Sequence, residues 1–179
     1  MPNRWFLVGL LTPLLTFLLL FATAAYVIRP RPKAPLVHVR PPSTYTVHGI
    51  DVSHHQGDIE WERVAADGRI QFAWMKATQG AGHTDRRSAR NWEGAQTAGI
   101  KVGAYHYYSM CRDGAEQAAH FIDTVPKVPG MLPPAVDVEE DERCNRRVPR
   151  NLKAELGAYL SAVEDHYGQR PILYVTDLI

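Results

Sequence analysis

The sequence predicts an α/β fold built on parallel β-strands. Short apolar runs alternate with amphipathic segments of helical length, and glycines follow several of these segments, where helices commonly end. Acidic and other polar side chains collect at the carboxyl ends of the apolar runs. Strands that alternate with helices at this spacing are typical of parallel βαβ units. About five strands are expected, and the pattern alone fits either an open sheet or part of a barrel.

The predicted elements follow in order from residue 47, and each strand except the last leads into a helix. Pro133 and Pro134 open the fourth strand, and Asp113 is a candidate cap for the third helix. The strands are predicted over Val47–Ser53, Gln71–Thr78, Ile100–Ser109, Leu132–Asp141 and Pro171–Thr176. The helices are predicted over Ile59–Ala66, Arg86–Ala98, Asp113–Thr124 and Arg150–Tyr167, with Gly68, Gly99 and Gly168 after three of them.

The composition describes an ordinary globular protein. The chain has 179 residues, of which 45% are hydrophobic, and a formal charge of +1. These values argue against an intrinsically disordered chain or a strongly basic nucleic-acid-binding protein. We expect a monomer without a cofactor or a bound metal.

Residues 1–28 are predicted to be a transmembrane anchor or a signal segment. No charge occurs between Trp5 and Ile28, and a helix of this length would reach about 36 Å, against about 30 Å for a hydrocarbon core. Arg4 and the small-x-small sequence Ala22–Ala24 are typical of a cleaved signal, but the apolar run is longer than the 7 to 15 residues usual for a signal core, which favours an anchor. Basic residues after the run favour a cytoplasmic domain, but large domains are often exported regardless of such charges, and we expect export.

Residues 29–46 are predicted to be a linker. Prolines recur at positions 30, 32, 35, 41 and 42, and this density favours extended polyproline conformation over a packed core. The globular domain is therefore expected to span residues 47–179.

Asp137 and Glu139 form the most informative pair in the chain. Alternate residues of a strand share a face, so both carboxylates should point the same way, with Cα atoms about 7 Å apart. Ligands of parallel α/β folds bind beyond the carboxyl ends of the strands. That rule adds Asp51, Lys76 and Tyr107 from three other strands to the same site.

The pair alone does not decide the chemistry. Close like charges raise one pKa, which suits proton donation to a glycosidic oxygen. An ion-pair network with Lys76, Arg143 or Arg146 is the structural alternative. Several aromatic residues can stack on sugar rings or belong to the core: Trp74, Trp92, Tyr105 and Tyr107. Three histidines keep zinc conceivable, although their spacing matches no common zinc motif: His48, His54 and His55.

Four segments, in this order and spacing, resemble the family 25 glycoside hydrolases, the Chalaropsis-type lysozymes. They are HGIDVSHHQGDIEW, FAWMKATQG, NWEGAQTAGIKVGAYHYY and PPAVDVEE. The resemblance implies an irregular β/α barrel and a muramidase that hydrolyses the β-1,4 bond between N-acetylmuramic acid and N-acetylglucosamine in peptidoglycan. It implies Glu139 as general acid, Asp137 as the partner that stabilises charge or orients the acetamido group, and Asp51 as a supporting acid. Lys76, Tyr105 and Tyr174 fall where the family lines its groove, and Tyr107 is added as a further substrate-binding candidate.

The sequence departs from the family pattern in two respects. Gln79 replaces the glutamate of the usual Lys-Ala-Thr-Glu-Gly motif. The segment after residue 47 is also about half as long as a full barrel of about 250 residues, so we expect an incomplete barrel. An inactive remnant that binds peptidoglycan or has a structural role therefore remains the alternative, and a metal-dependent carbohydrate deacetylase is a weaker one.

Cys111 and Cys144 follow the third and fourth strands of this layout. Neighbouring parallel strands would bring the two loops together, and a single disulfide fits an exported protein. The bond would close a loop of about 34 residues and stabilise by roughly 3 to 4 kcal/mol. The expected location is the cell envelope, anchored in the inner membrane and facing the periplasm, or outside the cell after secretion.

Overall fold

The computed structural model describes residues 45–139, 144 and 151–176. The predicted anchor or signal segment, and the predicted linker up to residue 44, lie outside the described residues. Among the helices that are described, none is both long and apolar enough to span a bilayer.

The predicted alternation of strands and helices is confirmed. The strands are β1 (His48–Val52), β2 (Ile70–Gln79), β3 (His83–Thr84), β4 (Lys101–Tyr107), β5 (Ala135–Val138) and β6 (Ile172–Val175). The helices are α1 (Trp61–Asp67), α2 (Ser88–Thr97), α3 (Gly114–Thr124) and α4 (Leu152–Tyr167), and a 3-10 turn covers His54–Gln56. Among the elements that the structure describes, the two-residue strand β3 and the 3-10 turn were not predicted.

The ends of the helices follow from their local sequence. Gly68 and Gly168 end α1 and α4 with φ of 72° and 68°, which is left-handed backbone that glycine adopts without a steric penalty. The Asp113 side chain accepts a hydrogen bond of 2.9 Å from the Glu116 backbone N–H, which confirms the predicted cap of α3.

The predicted fourth strand is shorter than expected because prolines occupy its start. Proline cannot donate to a ladder, and β5 begins only at Ala135. The preceding residues still contact their neighbours, since the Leu132 N–H donates to the Val102 carbonyl (2.9 Å) and the Pro134 carbonyl accepts from the Ile172 N–H (2.8 Å).

Five strands form a parallel sheet in the order β1-β2-β4-β5-β6, and β3 pairs antiparallel to β2. The parallel strands that follow one another in the chain are neighbours in the sheet, which is the order of a β/α barrel rather than of a doubly wound sheet. In the part of the chain that is described, β1 and β6 are the edges. The β6 side chains Ile172 to Val175 are between 42% and 56% exposed.

Two apolar clusters hold the helices against the sheet. The first joins β4 and β5 to α3 and α4, and His106 stacks on Tyr159 within it at 5.0 Å between ring centroids. The second joins β1 and β2 to α1 and α2 around Trp61 and Met75. Trp92 is partly buried and packs against both clusters.

Helices α3 and α4 approach closely at Gly114, which provides a stability prediction. A Cβ atom at this position would lie 1.9 Å from the Glu155 carbonyl oxygen, which is backbone and cannot rotate away. We expect Gly114→Ala to lower the free energy of unfolding by about 2 to 3 kcal/mol, as overpacking of a tight contact does. Urea unfolding measures the change.

Gly157→Ala is the matched control. Position 157 lies within α4 and has no atom within 4 Å of a Cβ placed there. Alanine should therefore stabilise by roughly 0.5 to 1 kcal/mol through helix propensity. Equal effects of the two substitutions would contradict the close contact.

Candidate active site

A cavity of ≈ 310 Å³ lies among side chains of the parallel sheet. Three carboxylates from the sequence prediction line it together, namely Asp51, Asp137 and Glu139. The other lining residues are Trp74, Tyr105, Ala135, Val136, Ile172 and Tyr174. The predicted residues Tyr105 and Tyr174 are therefore in the cavity wall, whereas Lys76 and Tyr107 do not line it.

Strand register explains why these residues meet. Tyr107 on β4 pairs with Asp137 on β5, which pairs in turn with Tyr174 on β6. Lys76 and Tyr105 pair in the same way further toward the amino ends. Because all these strands are parallel, the side chains collect at one end of the sheet.

Asp137 carries a raised pKa. Burial is the main cause, and the negative charges of Glu139 and Asp51 add to it, while the Lys76 ammonium acts in the opposite direction. Together they raise the pKa of Asp137 to about 6. Within the described residues, its Oδ1 atom is buried and has no hydrogen-bond partner, which fits the predominance of burial.

Lys76 is buried and is held beside the cavity. Its Nζ donates a hydrogen bond of 2.8 Å to the Gln79 Oε1 and lies 4.4 Å from the centroid of the Tyr107 ring. Gln79 is the residue that replaces the family's glutamate. It orients the ammonium group without neutralising it.

Lys76→Met should therefore raise the pKa of Asp137 above about 6, because the Lys76 ammonium, which lowers this pKa, is removed. Methionine keeps the length and most of the volume of the side chain. A carboxyl ¹³C NMR titration measures the shift. Lys101→Met is the control, since this exposed lysine begins β4 at the opposite end of the strand; equal shifts in both variants would contradict the effect of Lys76.

Tyr105 and Trp74 form fixed aromatic walls. Burial, followed by the charges of Asp51 and Asp137, raises the pKa of Tyr105, so its hydroxyl is protonated at neutral pH and can donate a hydrogen bond. The Trp74 Nε1 donates to the Pro133 carbonyl at 3.0 Å, which fixes the indole ring.

His54 and Asp85 form a pair that the sequence analysis did not identify. The buried Asp85 carboxylate accepts hydrogen bonds from the His54 ring Nδ1 (2.6 Å), from the His54 backbone N–H (3.0 Å) and from the Arg87 backbone N–H (2.9 Å). Burial opposes these bonds, but they hold the pKa of Asp85 below its usual range. The signal in the sequence was an aspartate just before a helix start, a common capping position.

The histidines do not assemble a metal centre in the described part of the chain. The His54 and His55 rings lie 4.0 Å apart between centroids, tilted by 36°. No group of three or more histidine, cysteine, aspartate or glutamate side chains suited to a metal ion occurs among the residues that are described.

The predicted disulfide between Cys111 and Cys144 is confirmed. Their Cα atoms are 5.3 Å apart, and the bond joins the segments that follow β4 and β5. It lies on the side of the sheet where the carboxylates collect.

Comparison with known proteins agrees with this arrangement. The model of the family described as Glycosyl hydrolases family 25 matches residues 50–178. The protein YegX of Escherichia coli O6:H1 is 39% identical over 140 residues, which are 76% of this chain and 50% of YegX. The chain therefore spans about half the length of this relative.

Two solved structures share the fold. A family 25 glycosyl hydrolase from Bacillus anthracis is 35% identical with a TM-score of 0.71, over 79% of this chain and 66% of that one. A bacterial lysozyme from Streptomyces coelicolor is 29% identical with a TM-score of 0.65, over 74% of this chain and 64% of that one. Since the family model covers most of the sequence, including every residue that lines the cavity, this chain belongs to family 25 of the glycosyl hydrolases.

Proposed function

We propose that this chain is a muramidase that hydrolyses the β-1,4 bond between N-acetylmuramic acid and N-acetylglucosamine in peptidoglycan. The observation that carries the proposal is the convergence of Asp51, Asp137 and Glu139 on one cavity at the carboxyl ends of the strands. Membership of family 25 and the likeness to the Streptomyces coelicolor lysozyme support the same activity.

In the proposed mechanism, Glu139 protonates the glycosidic oxygen of the leaving sugar. Hydrolysis of a glycoside passes through a transition state that resembles an oxocarbenium ion and is stabilised by nearby negative charge. Asp137 and Asp51 supply that charge or orient the acetamido group. Because the pKa of Asp137 is about 6, its charge is largely present at neutral pH and is lost below pH 6.

The remaining predicted residues are assigned to substrate binding. Tyr105 and Tyr174 line the cavity and offer ring faces and hydroxyl groups to a sugar. Lys76 and Tyr107 are assigned to an adjoining part of the groove, where the buried ammonium and the ring lie together.

The proposed location is the cell envelope, with the N-terminal segment as a membrane anchor or an export signal. The disulfide supports an oxidising compartment, since such bonds persist outside the cytoplasm. The proposed form is a monomer acting on glycan strands.

Digestion of purified, insoluble peptidoglycan tests the function. We expect the full chain to release soluble fragments whose new reducing ends are N-acetylmuramic acid. Reducing ends on N-acetylglucosamine would identify a different glycosidase. Binding to the wall without any new reducing ends would instead support the alternative of a binding module.

A further inference from the structure

The proposed general acid lies just outside the parallel ladder. The last residue of β5 that pairs with β4 is Asp137, opposite Tyr107, and β5 ends at Val138, which pairs only with Val175 of β6. Glu139 follows and has no partner in either ladder. Ladder pairing therefore does not restrain Glu139, and the next residue along the chain that the structure describes is Cys144.

One firm anchor lies in the turn after β4, which bears the disulfide partner of Cys144. Gln117 on α3 is fully buried and clamps the turn with its side-chain amide. Its Oε1 accepts from the Ser109 N–H (2.8 Å), and its Nε2 donates to the carbonyls of Ser109 (3.0 Å) and Arg112 (3.2 Å). Cys111 lies within this clamped turn.

The clamp extends into the sheet through His106. The Gln117 Oε1 also accepts from the His106 Nε2 at 3.2 Å, and the His106 Nδ1 accepts from the Thr78 hydroxyl at 2.7 Å. Burial lowers the pKa of His106 to about 4, so the ring stays neutral and the bonds persist at neutral pH. The turn that bears Cys111 is thereby fixed to β2, β4 and α3.

The disulfide ties Cys144 to this clamped turn. Cys144 is 2% exposed and is bonded to Cys111, and the Ser109 hydroxyl lies 3.4 Å and 3.3 Å from the two sulfur atoms. Cys144 comes five positions after Glu139 in the sequence, so the connecting chain spans at most about 17 Å when extended.

We propose that Cys111 and Cys144 are positioning residues, whose disulfide holds Glu139 in the cavity beside Asp137. The expected loss of kcat rests on the proposed muramidase function. The expected movement of Glu139 does not. Reduction of the bond should leave the ladder intact and let Glu139 move away from Asp137.

Movement of Glu139 should change the pKa of Asp137. Among the residues that the structure describes, the charged groups around this carboxyl are Asp51 on β1, Lys76 on β2 and Glu139 after β5, and the titratable phenols are Tyr105 on β4 and Tyr174 on β6. Of these, only Glu139 lies between β5 and Cys144 in the sequence. Because the charge of Glu139 helps to raise the pKa of Asp137, its displacement should lower that pKa below about 6.

The experiment compares oxidised full chain, chain reduced with dithiothreitol, and Cys111→Ser/Cys144→Ser. In two thiol–disulfide exchanges dithiothreitol closes to its cyclic disulfide, and each cysteine is left as a thiol with one proton from the reductant. We expect kcat on peptidoglycan to fall roughly 10- to 100-fold, as misplacement of a catalytic group does, with KM within about twofold. The pKa of Asp137, followed by carboxyl ¹³C NMR, should fall in the same two samples.

Reductant added to the double variant is the control, and it should change neither kcat nor the pKa of Asp137. An unchanged kcat and an unchanged Asp137 pKa in folded, reduced chain would overturn the proposal, as would loss of the fold in both reduced chain and variant. If oxidised chain does not cleave peptidoglycan, the muramidase proposal fails, while the NMR titration still decides whether the disulfide positions Glu139.

Discussion

Glu139→Gln is expected to reduce the cleavage of purified peptidoglycan by about 10²- to 10⁴-fold, the contribution typical of general acid catalysis. Glutamine has the shape of glutamate but cannot supply an acidic proton to the glycosidic oxygen. If Glu139 is the acid, binding of the glycan should persist in the variant, and kcat should fall far more than KM changes.

The fold should survive this substitution. The substitution changes only a side-chain carboxylate, and Glu139 lies beyond the paired residues of β5, so the backbone hydrogen bonds of the ladder are unaffected. Thermal unfolding and circular dichroism of the variant check this expectation. If the variant keeps its fold and loses cleavage, the loss is due to the missing acidic proton and not to unfolding.

Glu164→Gln is the matched control, because it makes the same chemical change on an exposed part of α4. The Glu164 side chain makes an ion pair of 3.9 Å with an exposed Arg170, and such pairs contribute little. Its cleavage rate should equal that of the original chain. If Glu139→Gln cleaves as fast as this control, Glu139 is not the acid.

The placement of the carboxylates could be predicted from the sequence because it depends on strand periodicity. Asp137 and Glu139 are two positions apart in an apolar run, and period-two alternation put them on one face. Asp51 ends a different apolar run, and parallel strands present their carboxyl ends at one edge. No long-range contact had to be known for these three residues to be grouped.

The electrostatics of the site could not be predicted in the same way. The raised pKa of Asp137 arises mainly from burial, which depends on tertiary packing between different strands. The Gln117 clamp could not be predicted for the same reason. It joins α3 to the turn after β4 through tertiary contacts that no local sequence pattern indicates. The hairpin strand β3 is only two residues long, too short for any periodicity.

Asp137→Asn is expected to stabilise the fold at pH 7.5 while it impairs cleavage. The pKa of Asp137 is raised from 3.8 to about 6 in the folded chain, so between these values the folded state binds more protons than the unfolded state. The free energy of unfolding therefore falls as the pH rises through this window. The whole loss of stability is present above pH 6. Asparagine carries no charge and removes that cost.

The expected gain at pH 7.5 is about 1 kcal/mol in the free energy of unfolding, after allowance for solvent screening of a half-buried carboxyl. The gain should shrink as the pH is lowered from 6 toward 4, because the original chain then protonates Asp137 in the folded state. Urea unfolding of both proteins at pH 7.5 and pH 4.5 measures the difference. A gain of equal size at both pH values would mean that the gain arises from packing. The buried charge of Asp137 would then not be what lowers the stability of the original chain.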